Sequence, residues 1–243
     1  MTKHPDITIW KKGVGLIRMN DGTHLYCGNI INGVRHFLLT YYQKVYDPEP
    51  IKIQPDDIVV DIGAWAGIFM VYAATKAKQV FASEPLPQMH EFCALNIKEN
   101  KLDNVVLSQL GIAGKDCERT FHFLPGDPEM GYLYDSDGHT RFTGTMGIQV
   151  VSLDRFVELH NIPRIDFLKL NCEGAEGEII PAISEELWGR IRKAAIQIHE
   201  HLSPVSGDEL IEMFLNHGFA VNDPSKAPGV KARWTYFWRV DEA

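Results

Sequence analysis

An acid and two glycines interrupt the apolar run VVDIGAWAGIFMVYAA, residues 59–74: Asp61, Gly63 and Gly67 stand between a strand-like segment and a resumed helical spacing. Such a turn at a strand tip suits a ligand, and residue chemistry narrows which one. A triphosphate loop needs a Lys and a Ser or Thr directly after its last glycine, whereas Ile68 and Phe69 follow Gly67. A dinucleotide turn needs a middle glycine so that backbone amides can approach a pyrophosphate, and Trp65 stands there. The carboxylate of Asp61 favours a cationic ligand over a dianionic one. S-adenosylmethionine (SAM) has an ammonium, a sulfonium and a ribose diol but no phosphate, and is the cofactor these residues suit. A second acid, to hold the ribose hydroxyls, is expected at the end of the next strand; Glu84 in VFASEP lies there, 23 residues after Asp61. That spacing alone also suits NAD. An NAD-dependent oxidoreductase and a non-catalytic module of the same fold therefore stay open as alternatives.

The elements that must position these residues alternate. Apolar strands at 58–62, 79–83, 105–109, 166–170 and 194–199 are separated by helical spacing at 68–75, 88–99, 154–159 and from 175 onward. Continuous apolar strands between amphipathic helices require a mostly parallel sheet covered on both faces, the doubly wound α/β class. The tail adds a helix at 209–217, the segment GFAV and a strand near 234–240 that would close the sheet as an antiparallel pair. Ahead of the sheet, 7–27 reads as two short strands around MNDGT, since Asp21-Gly22 supplies the positive φ of a tight hairpin. The stretch 31–44 spaces Val34, Leu38, Tyr41 and Tyr42 as a helix face, ended by Pro48 and Pro50. The expected division is an N-terminal hairpin and helix extension, 1–50, and a SAM-binding domain, 51–243. Between strands at 120–123 and 147–151 lies an aperiodic stretch rich in Gly, Pro, Asp and aromatics, and 124–145 is the candidate lid loop.

A chain of 243 residues is long enough for one well-cored domain. Its 24 basic and 32 acidic residues give a net charge of −8, spread without a block, which disfavours nucleic acid as a partner. Cys27, Cys93, Cys117 and Cys172 lie far apart with no C-x-x-C, and neither a signal-like start nor a membrane-length apolar stretch occurs. The expectation is a reduced, cytoplasmic protein with no membrane partner. The aromatics of TYYQKVY and GYLY would wall an acceptor pocket or belong to the core.

VVDIGAWAGIF, FASEPLPQMHEFCALNIKEN, VSLDRF and IDFLKLNCEGAEGEII occur in the order seen in the FkbM-type SAM-dependent methyltransferases, and the stretch 58–201 resembles that family. The last motif is the most specific part of the resemblance. What it implies is a class I methyltransferase fold, Rossmann-like, with an antiparallel last strand. It also implies methylation of a hydroxyl on a sugar, polyketide or similar small molecule. Carried over by position, Asp61, Gly63 and Gly67, with Ala64 among them, would line the methionine end of SAM. Glu84 would hold its ribose, and 109–113, including Gly111, would lie beside the adenine. Two positions depart from the family pattern: Trp65 replaces the usual Asn of the glycine turn, and Asn171 replaces the Asp after the Lys of the last motif.

Transfer from a sulfonium is an in-line displacement, so the protein's main task is to align the reacting groups in a dry pocket. A hydroxyl nucleophile must also lose its proton, where a positioned base contributes about 10²- to 10⁴-fold. The strand ends LKLNCEG and IQIHEHL should open on the carboxyl edge of the sheet, where such folds bind ligands. His201 is the expected base because imidazole titrates near neutrality, with His199 or Glu200 as alternatives for that position. Asn171 is expected to orient the acceptor, and an Asn there keeps N-methylation of an amine open. Lys169, Glu173 and His199 form the expected acceptor side, Lys169 alternatively turning outward into a salt bridge, while Glu176 is read as a helix N-terminal cap. No metal is expected, because the Asp-to-Asn change leaves Glu173, Glu200 and His201 as a thin ligand set.

Overall fold

The apolar runs of the sequence become the middle of a seven-stranded sheet. The computed structural model describes residues 14–124, 143–226 and 231–240, together with the backbone of 6–9 and 127–132. An N-terminal unit holds β1 (Asp6–Ile9), β2 (Gly15–Arg18), β3 (His24–Cys27) and α1 (Ile30–Phe37), which runs into a π-helical turn at Leu38–Tyr42. The alternating segment follows as β4 (Ile58–Ile62), α2 (Ile68–Ala74), β5 (Gln79–Ser83), α3 (Pro87–Glu99) and β6 (Val105–Ser108). An insertion adds β7 (Gly111–Ile112), β8 (Cys117–Leu124), β9 (Asp127–Tyr132) and β10 (Gly144–Val151). The chain returns with α4 (Leu153–Leu159), β11 (Ile165–Leu170), α5 (Glu176–Ile179) and α6 (Glu185–Trp188). It closes with β12 (Ile191–His199), α7 (Gly207–Asn216), β13 (Phe219–Asn222) and β14 (Ala232–Arg239).

The strand order is β13-β14-β12-β11-β4-β5-β6, with β14 antiparallel to both neighbours and the five strands from β12 to β6 parallel. Both β4 and β11 are buried along their whole length. Phe156, Leu168, Ile196 and Phe214 cover one face and Phe69, Met70, Phe167 and Tyr236 the other, as a sheet sandwiched between helices requires. From β4 the chain winds outward through β5 and β6, then returns to the other side of β4 at β11. That reversal opens a crevice at the carboxyl ends of β4 and β11, and the pairing of Asp61 with Lys169 sets their tips level.

Four local expectations change. The N-terminal pair of strands is a three-stranded antiparallel sheet, with the MNDGT turn joining β2 to β3. The helix expected at 31–44 keeps α-helical form only to Phe37, then widens so that the Gln43 amide donates to the Leu38 carbonyl. The helix expected from 175 is a single turn, because Pro181 has no amide to continue it and the chain tightens into a 3₁₀ turn at Ile180–Ala182. The aperiodic insertion forms a second sheet, β7-β10-β8-β9, whose strands β8 and β10 are longer than the expected ones. Within the candidate lid 124–145, residues 125–126 and 133–142 lie outside the described residues.

The outer edge of β3 is closed by side chains of a helix. Asn96 of α3 and Asn100, which caps that helix one turn on, each bind one residue of β3 through both amide groups. The Tyr26 amide donates to Asn96 Oδ1 at 2.7 Å while Asn96 Nδ2 donates to the Tyr26 carbonyl at 2.9 Å. Asn100 does the same for His24 at 2.8 and 2.6 Å. Asn96 Nδ2 also donates to the Ala66 carbonyl in the glycine turn at 2.7 Å, so one buried side chain ties the N-terminal unit to that turn. Asn96→Ala is expected to lower stability by about 2 kcal/mol, since buried backbone groups of Tyr26 and Ala66 lose their partner. The urea midpoint reads this directly, and an unchanged midpoint would mean that water replaces the amide.

Candidate active site

Asp61 lies one residue before the tip of β4, beside Lys169 of β11 on the same sheet face. Lys169 Nζ stands 2.8 Å from Asp61 Oδ1, with both side chains buried. The ammonium also donates to the Gly63 carbonyl at 2.6 Å, reaches the Ile62 carbonyl at 3.3 Å, and lies 5.7 Å from the Tyr46 ring centroid. Lys169, expected on the acceptor side, is thus held beneath the glycine turn. The strand register brings it to Asp61, and a buried carboxylate draws the nearest cation. Burial raises the pKa of Asp61 and the Lys169 charge opposes the rise. Asp61 Oδ2 is left buried with no hydrogen-bond partner.

The turn itself is tightly fixed. The amides of Gly63 and Ala64 both donate to the Ser83 carbonyl at 3.1 Å, joining the tips of β4 and β5. Gly63 has φ +74°, and a Cβ there would lie 2.1 Å from the Asn171 carbonyl oxygen; Gly67, at φ +79°, starts α2. Trp65 has φ +51°, a conformation that Asn adopts with less strain than a bulky side chain. Its indole packs against the His36 imidazole of α1, with ring centroids 4.7 Å apart. Burial, with the Lys169 charge adding to it, pushes His36 down to about 4, so this ring is neutral.

Glu84, just past β5, accepts from the Trp65 amide at 2.8 Å and from the Leu86 amide at 3.0 Å, one on each carboxylate oxygen. Burial pushes its pKa up to about 7 in spite of these two donors. Gly111 begins β7 beside Val150 of β10, and a Cβ there would meet Val150 Cγ1 at 2.7 Å. Close packing between these two strands is therefore one reason for a glycine at this position.

At the tips of β11 and β12 the structure brings together Asn171, Glu173, Glu176 and His199. Asn171 Nδ2 donates to the Tyr46 hydroxyl at 3.1 Å. Positive φ at Glu173 and Gly174 folds the chain back, so that Glu176 reaches the loop before it. The fully buried Glu176 carboxylate accepts from the Cys172 and Gly174 amides, each at 2.9 Å, and its Oε1 lies 3.1 Å from His199 Nδ1. His199 Nε2 faces Glu173 Oε2 at 3.7 Å, and the Glu173 side chain is 55% exposed. Burial works against a charge on His199, yet the Glu176 hydrogen bond and the Glu173 charge hold its pKa above the ordinary value. Against its own burial, Glu176 is held low by His199 and the Cys172 amide.

Two expected residues are not part of this group. β12 ends at His199 and the following turn carries His201 to an exposed position, where Nδ1 donates to the Lys231 carbonyl at 3.0 Å. Glu200 pairs with Arg233 at 3.0 Å and accepts from the Gly207 amide, which fixes the turn. The bond from Glu176 to His199 escaped the sequence reading, as did His36, while Tyr46, read only among the TYYQKVY aromatics, reaches the site through Asn171; the signal available was the E-G-x-E spacing, whose first two residues take the left-handed conformation. Among the described residues, no cluster of three or more His, Cys, Asp or Glu is arranged to hold a metal ion, and no helix is long and apolar enough to cross a membrane.

The family model for the methyltransferase FkbM domain matches residues 57–221, about two thirds of the chain. The chain belongs to the FkbM methyltransferase family. Methyltransferase 1 of Beauveria bassiana is 25% identical over 207 residues, covering 77% of this chain and 82% of the relative. The 31-O-demethyl-FK506 methyltransferase FkbM of Streptomyces tacrolimicus is 23% identical over 211 residues, covering 74% and 79%. The crystal structure of methyltransferase FkbM from Methylobacillus flagellatus matches with a TM-score of 0.57 at 14% identity, over 83% of this chain and 48% of that one. This FkbM-family chain therefore spans about half the length of that solved relative. The shared fold is the class I methyltransferase α/β fold, with a mostly parallel central sheet and one antiparallel strand, and the family makes this chain a methyltransferase.

Proposed function

We propose that this methyltransferase uses SAM to methylate a hydroxyl group of a small-molecule acceptor. The observation that carries the reading is a pair of buried carboxylates at neighbouring strand tips, one of them with an unpartnered oxygen. The residues fit the cofactor. Asp61 Oδ2 is free to accept from an ammonium, and because Lys169 already neutralises Oδ1, the pocket offers a directed acceptor rather than a bare anion. Each Glu84 oxygen accepts one amide and retains a lone pair for a ribose hydroxyl. Gly63, Ala64 and Gly67 keep the turn free of large side chains, and Gly111 at the neighbouring tip is assigned to the adenine side. When bound, the cofactor supplies an electrophilic methyl group on a sulfonium.

The chain's own residues do the rest. Asn171, with its amide nitrogen on Tyr46, has its carbonyl oxygen left to orient an acceptor hydroxyl. Of the three ionisable side chains at the end of β12, His199 is the one held in the group with Glu173 and Glu176, and we assign it the acceptor proton in place of His201. Glu173 receives the acceptor's polar groups. The naming of the Streptomyces relative for an O-linked position supports a hydroxyl over an amine. In this reading residues 1–50 form an extension on a SAM-binding domain, 51–243, that acts in the cytoplasm without metal, nucleic acid or membrane.

Calorimetric titration with S-adenosylhomocysteine (SAH) and with NADH separates the cofactors: SAH is expected to bind and NADH not, and the reverse result would overturn the reading. A panel of hydroxylated, glycosylated and amine acceptors, followed by mass spectrometry, then locates the methyl group; a product on nitrogen would replace the hydroxyl assignment.

Glu84 gives a sharper forecast. Glu84→Gln should weaken SAH binding by about 1–3 kcal/mol through loss of charged hydrogen bonds. Because burial sets this carboxyl at about 7, above a free Glu, its contribution to stability is present at acid pH and is lost as pH rises through about 7. Ribose donors favour the ionised form, so binding should release a proton and affinity should fall as pH drops below about 7. That decline should vanish in Glu84→Gln. An identical pH dependence in both proteins would remove Glu84 from the ribose role.

A further inference from the structure

We infer that Glu176 is a positioning residue that fixes His199 in the tautomer with Nδ1 protonated, leaving the Nε2 lone pair as the site that takes the acceptor proton. The inference rests on the methyl-transfer reading for its chemical purpose, while the tautomer itself is a property of the ligand-free protein.

The geometry admits little else. Glu176 is fully buried, and each of its oxygens already accepts a backbone amide, from Cys172 and from Gly174, so the carboxyl group cannot swing away. Its Oε1 lies 3.1 Å from His199 Nδ1. An ionised carboxylate only accepts, so the proton of this bond belongs to Nδ1. Nε2 then carries the lone pair, and it points toward Glu173, whose half-exposed side chain marks the route to solvent. The groups around the imidazole are few. Glu176 faces it from α5 and Glu173 from the loop after β11, where the Cys172 thiol donates to Glu176 Oε1; on the other side His199 pairs with Ala232 of β14, which does not titrate. Glu200, next in the chain, is paired with Arg233.

The proton balance closes within this group. The acceptor oxygen forms its bond to the methyl carbon as the carbon–sulfur bond of the sulfonium donor breaks, its electron pair staying on a neutral thioether; the acceptor O–H bond breaks, the proton moves to Nε2, and the resulting imidazolium is stabilised by the Glu176 carboxylate on Nδ1. Glu176 itself stays ionised. The proton leaves to solvent past Glu173 after product release.

Imidazole nitrogen NMR on the isotope-labelled full chain tests the tautomer without any acceptor, with His199→Asn assigning the signal. The expected result is protonated Nδ1 at high pH and a pKa above the ordinary imidazole value, falling in Glu176→Gln as the anion is removed. Protonated Nε2 in the unsubstituted protein, or an unchanged pKa in Glu176→Gln, would overturn the inference. Should Glu176→Gln fail to fold, the tautomer of the unsubstituted chain still decides. Once an acceptor is in hand, Glu176→Gln should lower kcat by about 10²-fold and shift the acidic limb of its pH profile downward, with the KM for SAM unchanged. A lower rate with an unshifted limb would overturn the positioning role. Absence of turnover in the unsubstituted protein would count against the proposed function and leave the NMR result standing.

Discussion

Lys169→Met is expected to destabilise the fold by about 3–5 kcal/mol, the usual consequence of removing one partner of a buried ion pair. The substitution keeps roughly the length of the side chain and removes its charge, including the ammonium's approach to the Tyr46 and Phe69 rings. Asp61 would be left as a carboxylate in the sheet interior with neither oxygen paired, and the Gly63 carbonyl would lose its donor, while the Ile62 carbonyl keeps the Asn171 amide. Asp61→Asn on the same background should recover part of the loss, because a neutral amide in that place costs less to bury than an unpaired anion. Urea denaturation of the two single variants and the double variant measures the coupling. A loss below about 1 kcal/mol, the range of exposed pairs, or a strictly additive double variant would show that water reaches the pair.

Gly63→Ala should cost about as much, by a different route. At φ +74° any side chain is strained by roughly 1–2 kcal/mol. The new Cβ would also lie 2.1 Å from the Asn171 carbonyl oxygen, which is backbone and cannot rotate aside as a long side chain would. Parting the tips of β4 and β11 to make room adds about 1–3 kcal/mol of overpacking, for a total of about 2–5 kcal/mol. SAH binding should be lost with it, since the displaced turn carries the amides of Gly63 and Ala64 off the Ser83 carbonyl. Gly22→Ala is the natural control: its φ is +92° but nothing lies within 4 Å of the added carbon. Equal losses at the two positions would deny that the tips touch.

Much of the sheet is legible in the chain because β4 and β11 are buried on both faces and so appear as unbroken apolar runs. Asp61 and Glu84 are readable as tip residues for a related reason, since one helix and one strand separate them. The Asp61–Lys169 pair is hidden, because register between strands far apart in sequence decides it and no local pattern reports register. His199 and His201 share strand parity, and a reading that lets the strand run on sends both to the same face. The strand stops at His199 instead, and the Glu200 turn, tied to Arg233, takes His201 away. Glu176 reads as a cap because it opens a helical stretch; the left-handed pair Glu173–Gly174, invisible as a period, is what folds it back onto His199. The second sheet is hard to see because the buried positions of β8 and β10 are few, so its alternation carries little apolar signal.

Trp65 stands in the left-handed region without the small side chain that makes this easy, its indole against His36 and the next carbonyl bound by Asn96. The amino-terminal unit and the glycine turn thus share a joint, and their equilibria are expected to be linked. Since such linkage is reciprocal, occupancy that steadies the turn must tighten the seating of the appendage by the same factor. A perturbation far out on the first helix is therefore expected to register as a change in SAH affinity, carried by the contact of His36 with Trp65.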